Sequence, residues 1–200
     1  MFNLYYLFFL LMVWMPAVQA AGIGFPAPDF TLREAGGEEI SLFDFRGKHV
    51  VLEWFNPDCV EVQRHYKRKT MRQLARSHRG QEVIWLAINS THYMAPEENI
   101  RWKDINRLDY RLLGDFDGTV GKRYQAKMTP QLYIINPDGI LIYNGAIDND
   151  PKGEKNWPFN YVQAALKESL AGLPVSRPKT EPYGCLVKYK YWGLGIGNRE

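Results

Sequence analysis

Cysteine is scarce in this chain: Cys59 and Cys185 are the only two thiols in 200 residues. Two thiols exclude a disulfide-knit scaffold and a four-thiolate zinc site, and leave room for one redox pair. Histidine is scarce too, with four residues. His49, His65, His78 and His92 stand at no metal-ligand spacing with Cys59, so no metal is expected. His65 itself reads as a solvated or half-buried helix residue. An excess of one charge is also missing. Lys and Arg number 25 against 22 Asp and Glu, a net +3, which is too balanced for the footprint of a nucleic-acid binder. Internal repeats and low-complexity blocks are absent. Hydrophobic residues at 46% and charged residues at 24% exclude wholesale disorder.

What is present begins with an almost wholly apolar leader, MFNLYYLFFLLMVWMPAVQA. Its run from Leu4 to Met15 is shorter than the roughly 20 residues a membrane span needs. Val18-Gln19-Ala20 puts small residues at the two positions a signal peptidase reads. Residues 1–20 are therefore expected to be a signal peptide and the chain periplasmic or secreted; an uncleaved anchor is the alternative. The leader lacks Lys and Arg, so only the Met1 amine supplies positive charge. Export places both thiols where they must pair or be used. Residues 21–173 are expected to form a single domain, and residues 174–200 a Pro- and Gly-rich tail that carries Cys185.

The periodicity predicts alternating elements. Asp29 to Leu32 and Glu39 to Leu42 read as short extended pieces around Gly36-Gly37. His49 to Phe55 is an apolar, β-branched run of the kind buried on both faces of a parallel sheet. Asn56-Pro57-Asp58 stops it. Asp58 is then expected to cap one helix from Cys59 to about His78, with Val62, Tyr66, Met71, Leu74 and Ala75 as its apolar stripe. Val83 to Ile88 is a second buried strand. A helix over Glu97 to Leu108, a short strand at Leu112-Leu113 and a turn with a short helix to Tyr124 follow. Leu132 to Ile135 and Ile140 to Tyr143 form a hairpin about Asn136-Pro137-Asp138-Gly139. Asn160 to Ala171 is an amphipathic closing helix. A β-α-β half joined to a β-β-α half, with a cysteine at the first strand-to-helix turn, is the layout of the thioredoxin fold. The expected class is α/β: a mixed sheet flanked by helices, an N-terminal β extension and an irregular C-terminal tail.

Cys59 stands where nucleophilic cysteines are built. Free backbone N–H groups and the positive end of a helix dipole favour thiolate there, although Asp58 and Glu61 oppose the effect. Val51-Leu52-Glu53-Trp54-Phe55-Asn56-Pro57-Asp58-Cys59 resembles the strand and active-site segment of thioredoxin-like redoxins. With Gly47-Lys48 upstream, it is similar to the alkyl-hydroperoxide-reductase/thiol-specific-antioxidant branch related to peroxiredoxins. Thr129-Pro130 resembles the cis-proline loop of that superfamily, and Tyr183-Gly184-Cys185 resembles the tail of exported redoxin-domain proteins. Two departures stand beside the match. Val62 occupies the place of a second cysteine in the thioredoxin motif. Leu52 and Asn56 occupy the Pro and Thr/Ser places of the peroxiredoxin motif.

The resemblance implies a thiol-dependent oxidoreductase without a cofactor, with antioxidant or thiol–disulfide exchange activity. Cys59 would be its nucleophile. Cys185 would resolve the product, within one chain or between two; sequence distance alone cannot pair them, although the tail is long enough to reach any face. Glu53, six residues before Cys59, would be a buried proton shuttle. Asn56 would donate a hydrogen bond to a peroxide oxygen or a thiolate. A cis Pro130 would present the backbone of Thr129 to an extended substrate. The implied partners are an external thiol reductant and a peroxide or protein disulfide, with a homodimer as a further potential assembly. The alternative is a non-catalytic peptide-binding module of the same fold.

Overall fold

A computed structural model describes residues 20–190; residues 1–19 of the leader and the end of the tail lie outside that range. Two short strands, β1 (Thr31–Glu34) and β2 (Glu39–Ser41), form the N-terminal hairpin. After them come β3 (His49–Trp54), α1 (Val60–Lys67), α2 (Thr70–Ser77), β4 (Val83–Asn89), α3 (Pro96–Asn106), β5 (Arg111–Gly114) and α4 (Thr119–Tyr124). The second half holds β6 (Met128–Thr129), β7 (Gln131–Ile135), β8 (Leu141–Gly145), α5 (Tyr161–Leu170) and β9 (Cys185–Leu186). The main sheet runs β2-β1-β5-β4-β3-β7-β8. Strands β3, β4 and β5 are parallel, and β7, β8 and the N-terminal hairpin run antiparallel to their neighbours. This is the expected mixed sheet.

The alternation of side chains along β3 separates two apolar layers. Val51 and Phe55 face a layer made with Val62, Tyr66, Leu74, Val162 and Leu166 of α1, α2 and α5. Val50, Leu52 and Trp54 face the other layer, with Phe30, Ile40, Val120 and Tyr124. Every residue of β3 is buried, as its unbroken apolar run demands. Glu53 is the one carboxylate in that run, and it points into the α1 layer.

The helix expected from Cys59 to His78 is two helices. Lys69 adopts φ 61° between α1 and α2. The spacing explains the break: Tyr66 and Met71 are five residues apart, which no single helical stripe accommodates. The left-handed turn at Lys69 lets α1 and α2 each bring its side chain, Tyr66 and Met71, into the core. Asp58 does not cap α1; Cys59 is the N-cap, with extended backbone and no side-chain capping bond.

The tail is irregular apart from β9, but it is not loose. Thr180 Oγ1 accepts from Ala146 N at 2.9 Å and meets Tyr143 Oη at 2.6 Å, which covers the outer edge of β8. Tyr183 and Cys185 pack on the α1 layer, whereas Val187 and Tyr189 are buried in the opposite layer. The tail thus crosses the end of the sheet where Cys59 sits and joins both layers.

Candidate active site

The turn after β3 sets Cys59 at the start of α1. Asn56 Oδ1 accepts from Asp58 N at 2.8 Å, and the Cys59 N–H reaches Asn56 O at 3.0 Å. Asn56 is buried, so its oxygen is spent on shaping the turn. The Asp58 carboxylate is exposed and accepts from Tyr93 Oη at 3.1 Å. Cys59 is 1% exposed.

Across from it, the Thr129–Pro130 peptide is cis, as the sequence predicts. Met128 and Thr129 pair antiparallel with Leu186 and Cys185. Cys59 and Cys185 are joined by a disulfide within one chain, 126 residues apart, with Cα atoms 5.8 Å from each other. Thr129 O lies 3.1 Å from Cys59 Sγ. The tail can approach this closely because residue 184 is glycine. It has φ 117°, and a Cβ there would lie 2.1 Å from Thr129 O. The backbone of Thr129, expected to lie open to an extended substrate, is therefore occupied in this structure by the chain's own Cys185 strand.

Glu53 is fully buried, and among the described residues it is neither edge-exposed nor paired with Arg or Lys. Its Oε1 accepts from Tyr66 Oη at 2.8 Å and its Oε2 from Trp85 Nε1 at 2.8 Å. Tyr110 Oη extends the chain to Tyr66. Burial pushes the Glu53 carboxyl up to about 7, against the two hydrogen bonds that favour its charged form. Among the described residues, no hydrogen bond links it to Cys59 or Cys185.

Two features of the site were not legible beforehand. Glu61, in the first turn of α1, puts Oε2 at 3.3 Å from both Cys59 Sγ and Cys185 Sγ. In the sequence it shows only as a charge near Cys59. His65, expected to be solvated or half-buried, is 1% exposed. Its Nε2 meets Tyr183 Oη at 3.0 Å, and that hydroxyl donates to Asp148 Oδ1 at 2.5 Å. Burial lowers the His65 pKa to about 4; nearby Arg64 and Arg68 add to the shift and Asp148 and Asp150 oppose it. Tyr183 stands two residues before Cys185, so this cluster pins the tail beside the disulfide.

The pattern of the AhpC/TSA family matches residues 23–144, more than half of the chain. The chain belongs to the AhpC/TSA family. The match includes Cys59 and Thr129-Pro130 and ends before Tyr183 and Cys185. Among curated proteins, the chain is 28% identical over 119 residues to thioredoxin-like protein YneN of Bacillus subtilis, covering 59% of this chain and 68% of that one. It is 28% identical over 132 residues to peroxiredoxin Bcp of Escherichia coli K12, covering 64% and 80%. Among solved structures, an uncharacterised conserved protein of Geobacillus kaustophilus superposes with a TM-score of 0.77 at 26% identity, covering 84% of this chain and 93% of that one. A hypothetical protein of Sinorhizobium meliloti gives 0.78 at 23% identity, covering 86% and 97%. The fold is that of thioredoxin, and the family's chemistry is thiol-based oxidation and reduction.

Proposed function

We propose that this member of the family is an exported thiol–disulfide oxidoreductase in which Cys59 is the nucleophile and Cys185 the resolving thiol. The observation that carries this reading is the disulfide from the α1 start to a strand paired with Thr129. A cysteine at a helix N-terminus gains from the unsatisfied N–H groups when it ionises. The paired strand then holds its partner sulfur in bonding distance. Cys59 attacks a substrate disulfide and forms a mixed disulfide; Cys185 displaces the substrate thiol; an external thiol reductant reopens the ring. The apolar leader and the pairing of both thiols support export.

Reduction of a peroxide is the second reading, and the relatives named peroxiredoxin favour it. The site favours it less. A peroxide needs hydrogen-bond donors aimed at its oxygens, whereas the atoms touching Cys59 Sγ are the acceptors Thr129 O and Glu61 Oε2. Asn56, the donor considered for that task, accepts from Asp58 N through Oδ1, and among the described residues no hydrogen bond carries its Nδ2 to Cys59 Sγ. Turnover assays with a thiol reductant and either insulin or hydrogen peroxide separate the two readings. The expected result is disulfide reduction that is lost in Cys59→Ser. Faster turnover with peroxide than with insulin would transfer the assignment to a peroxidase. A wild-type chain inactive toward both substrates leaves a peptide-binding module.

A further inference from the structure

Glu61 Oε2 stands at equal distances, 3.3 Å, from the two sulfurs of the disulfide. The three atoms lie within 4.8 Å of one another. A disulfide sulfur carries no hydrogen, so neither contact is a hydrogen bond in the oxidised chain. Once the bond opens, each sulfur becomes a thiol and Oε2 is the acceptor in reach of both. The other atom on Cys59 Sγ, Thr129 O, is a carbonyl that accepts a hydrogen bond but is far too weak a base to keep the proton. Glu53 is engaged by Tyr66 and Trp85 on its two oxygens. Asp58, Arg64 and His65 are also directed elsewhere: Asp58 to Tyr93, Arg64 to the carbonyls of Asp150 and Pro151, His65 to Tyr183. Glu61 is half-buried, so its carboxyl keeps contact with solvent while touching the reacting atoms.

We propose that Glu61 is the catalytic acid–base of ring closure. Its Oε2 removes the proton from the Cys185 thiol as that sulfur attacks Cys59, and delivers it to the group that leaves. The step starts from Cys59 joined to a substrate sulfur. The Cys59–substrate S–S bond breaks as the Cys59–Cys185 bond forms. The two protein sulfurs end oxidised, and the substrate sulfur is reduced to a thiol that carries the proton lost by Cys185. The bound disulfide is the oxidant, so no other is needed. In reverse, Glu61 takes the proton of an incoming thiol and gives it to the Cys185 sulfur as the ring opens. This role rests on the reading that Cys185 resolves Cys59.

The closing step is read directly with one equivalent of 5,5′-dithiobis(2-nitrobenzoate) on the reduced chain. The first thionitrobenzoate ion leaves when one protein sulfur is capped. The second leaves when the other sulfur displaces the cap. Here the leaving ion needs no proton, so the second phase isolates Glu61 as a base. Glu61→Gln is expected to release the second ion about 100-fold more slowly at neutral pH. Glu61→Ala is expected to show the same deficit and to regain rate with added formate, a response that a packing role would not give. If Glu61 acted only as a negative charge, its removal would ease ionisation of the attacking thiol and speed closure. A Glu61→Gln rate equal to or above wild type therefore overturns the proposal, as does an alanine deficit that formate leaves unchanged. A wild-type chain that releases only one ion would instead overturn the resolving role of Cys185, before any variant is made.

Discussion

Two buried titratable side chains pull the stability of the oxidised chain in opposite directions with pH. Glu53 keeps its proton in the fold up to about 7, while the unfolded carboxyl loses it near 4.5. Its contribution is fully present below about 4.5 and is lost as pH rises to about 7. His65 behaves oppositely. The unfolded ring takes a proton below 6.5 that the buried ring refuses until about 4, so stability is lost as pH falls through that window. The two slopes overlap and offset each other between about 4.5 and 6.5. Glu53→Gln keeps an acceptor for Trp85 and a polar partner for Tyr66, yet removes the titration. Urea unfolding is therefore expected to show the variant gaining roughly 2–3 kcal/mol over wild type between about pH 5 and about pH 8. A constant difference between variant and wild type across that range would contradict the burial of a titrating carboxyl. Glu53 was visible in the sequence as a charge inside an apolar strand. What could not be read there is that Tyr66, Trp85 and Tyr110 surround it, because they come from α1, β4 and the turn before β5.

At the scale of elements, the tail strand is the part most exposed to single changes. Gly184→Ala forces a left-handed residue to carry a Cβ against Thr129 O. The β6–β9 pairing must then open, and strain of about 1–3 kcal/mol appears only in the closed form. In glutathione buffers the variant is expected to be reduced about 5- to 150-fold more readily, as measured by alkylation of Cys185. Unchanged redox behaviour would mean that the strand pairing does not hold the sulfur in place. Tyr183→Phe tests the neighbouring pin. It removes the hydroxyl between His65 and Asp148 and leaves a 4% exposed carboxylate without that donor. A loss of about 1–3 kcal/mol in thermal or urea unfolding is expected. The break between α1 and α2 belongs to this scale too. The sequence reads Tyr66 and Met71 as parts of one stripe, and the turn at Lys69 that separates them comes from tertiary packing.

For the whole molecule, the disulfide closes a loop over a sequence separation of 126 residues. By the chain-entropy argument, a crosslink of that span stabilises the fold by about 4–5 kcal/mol, chiefly by restricting the unfolded chain. Reduction is expected to lower Tm by roughly 10 °C, and Cys185→Ser should match reduced wild type under any redox condition. Calorimetry with and without reductant checks this; equal Tm values would show that the bond does not form in solution. The fold class was determined by the sequence alone, since periodicity of apolar residues, glycine and proline turns and chain order are local properties. The cysteine at the strand-to-helix turn and the proline before β7 were local signals of the same kind. Only the tertiary structure decided which atoms meet at the sulfurs. Cys185, Glu61 and Thr129 converge there because a tail with no periodicity crosses the sheet end, anchored by Thr180, Tyr183 and Val187. Contacts between residues so distant in the chain follow from side-chain packing in three dimensions, and nothing in the spacing of the letters records it.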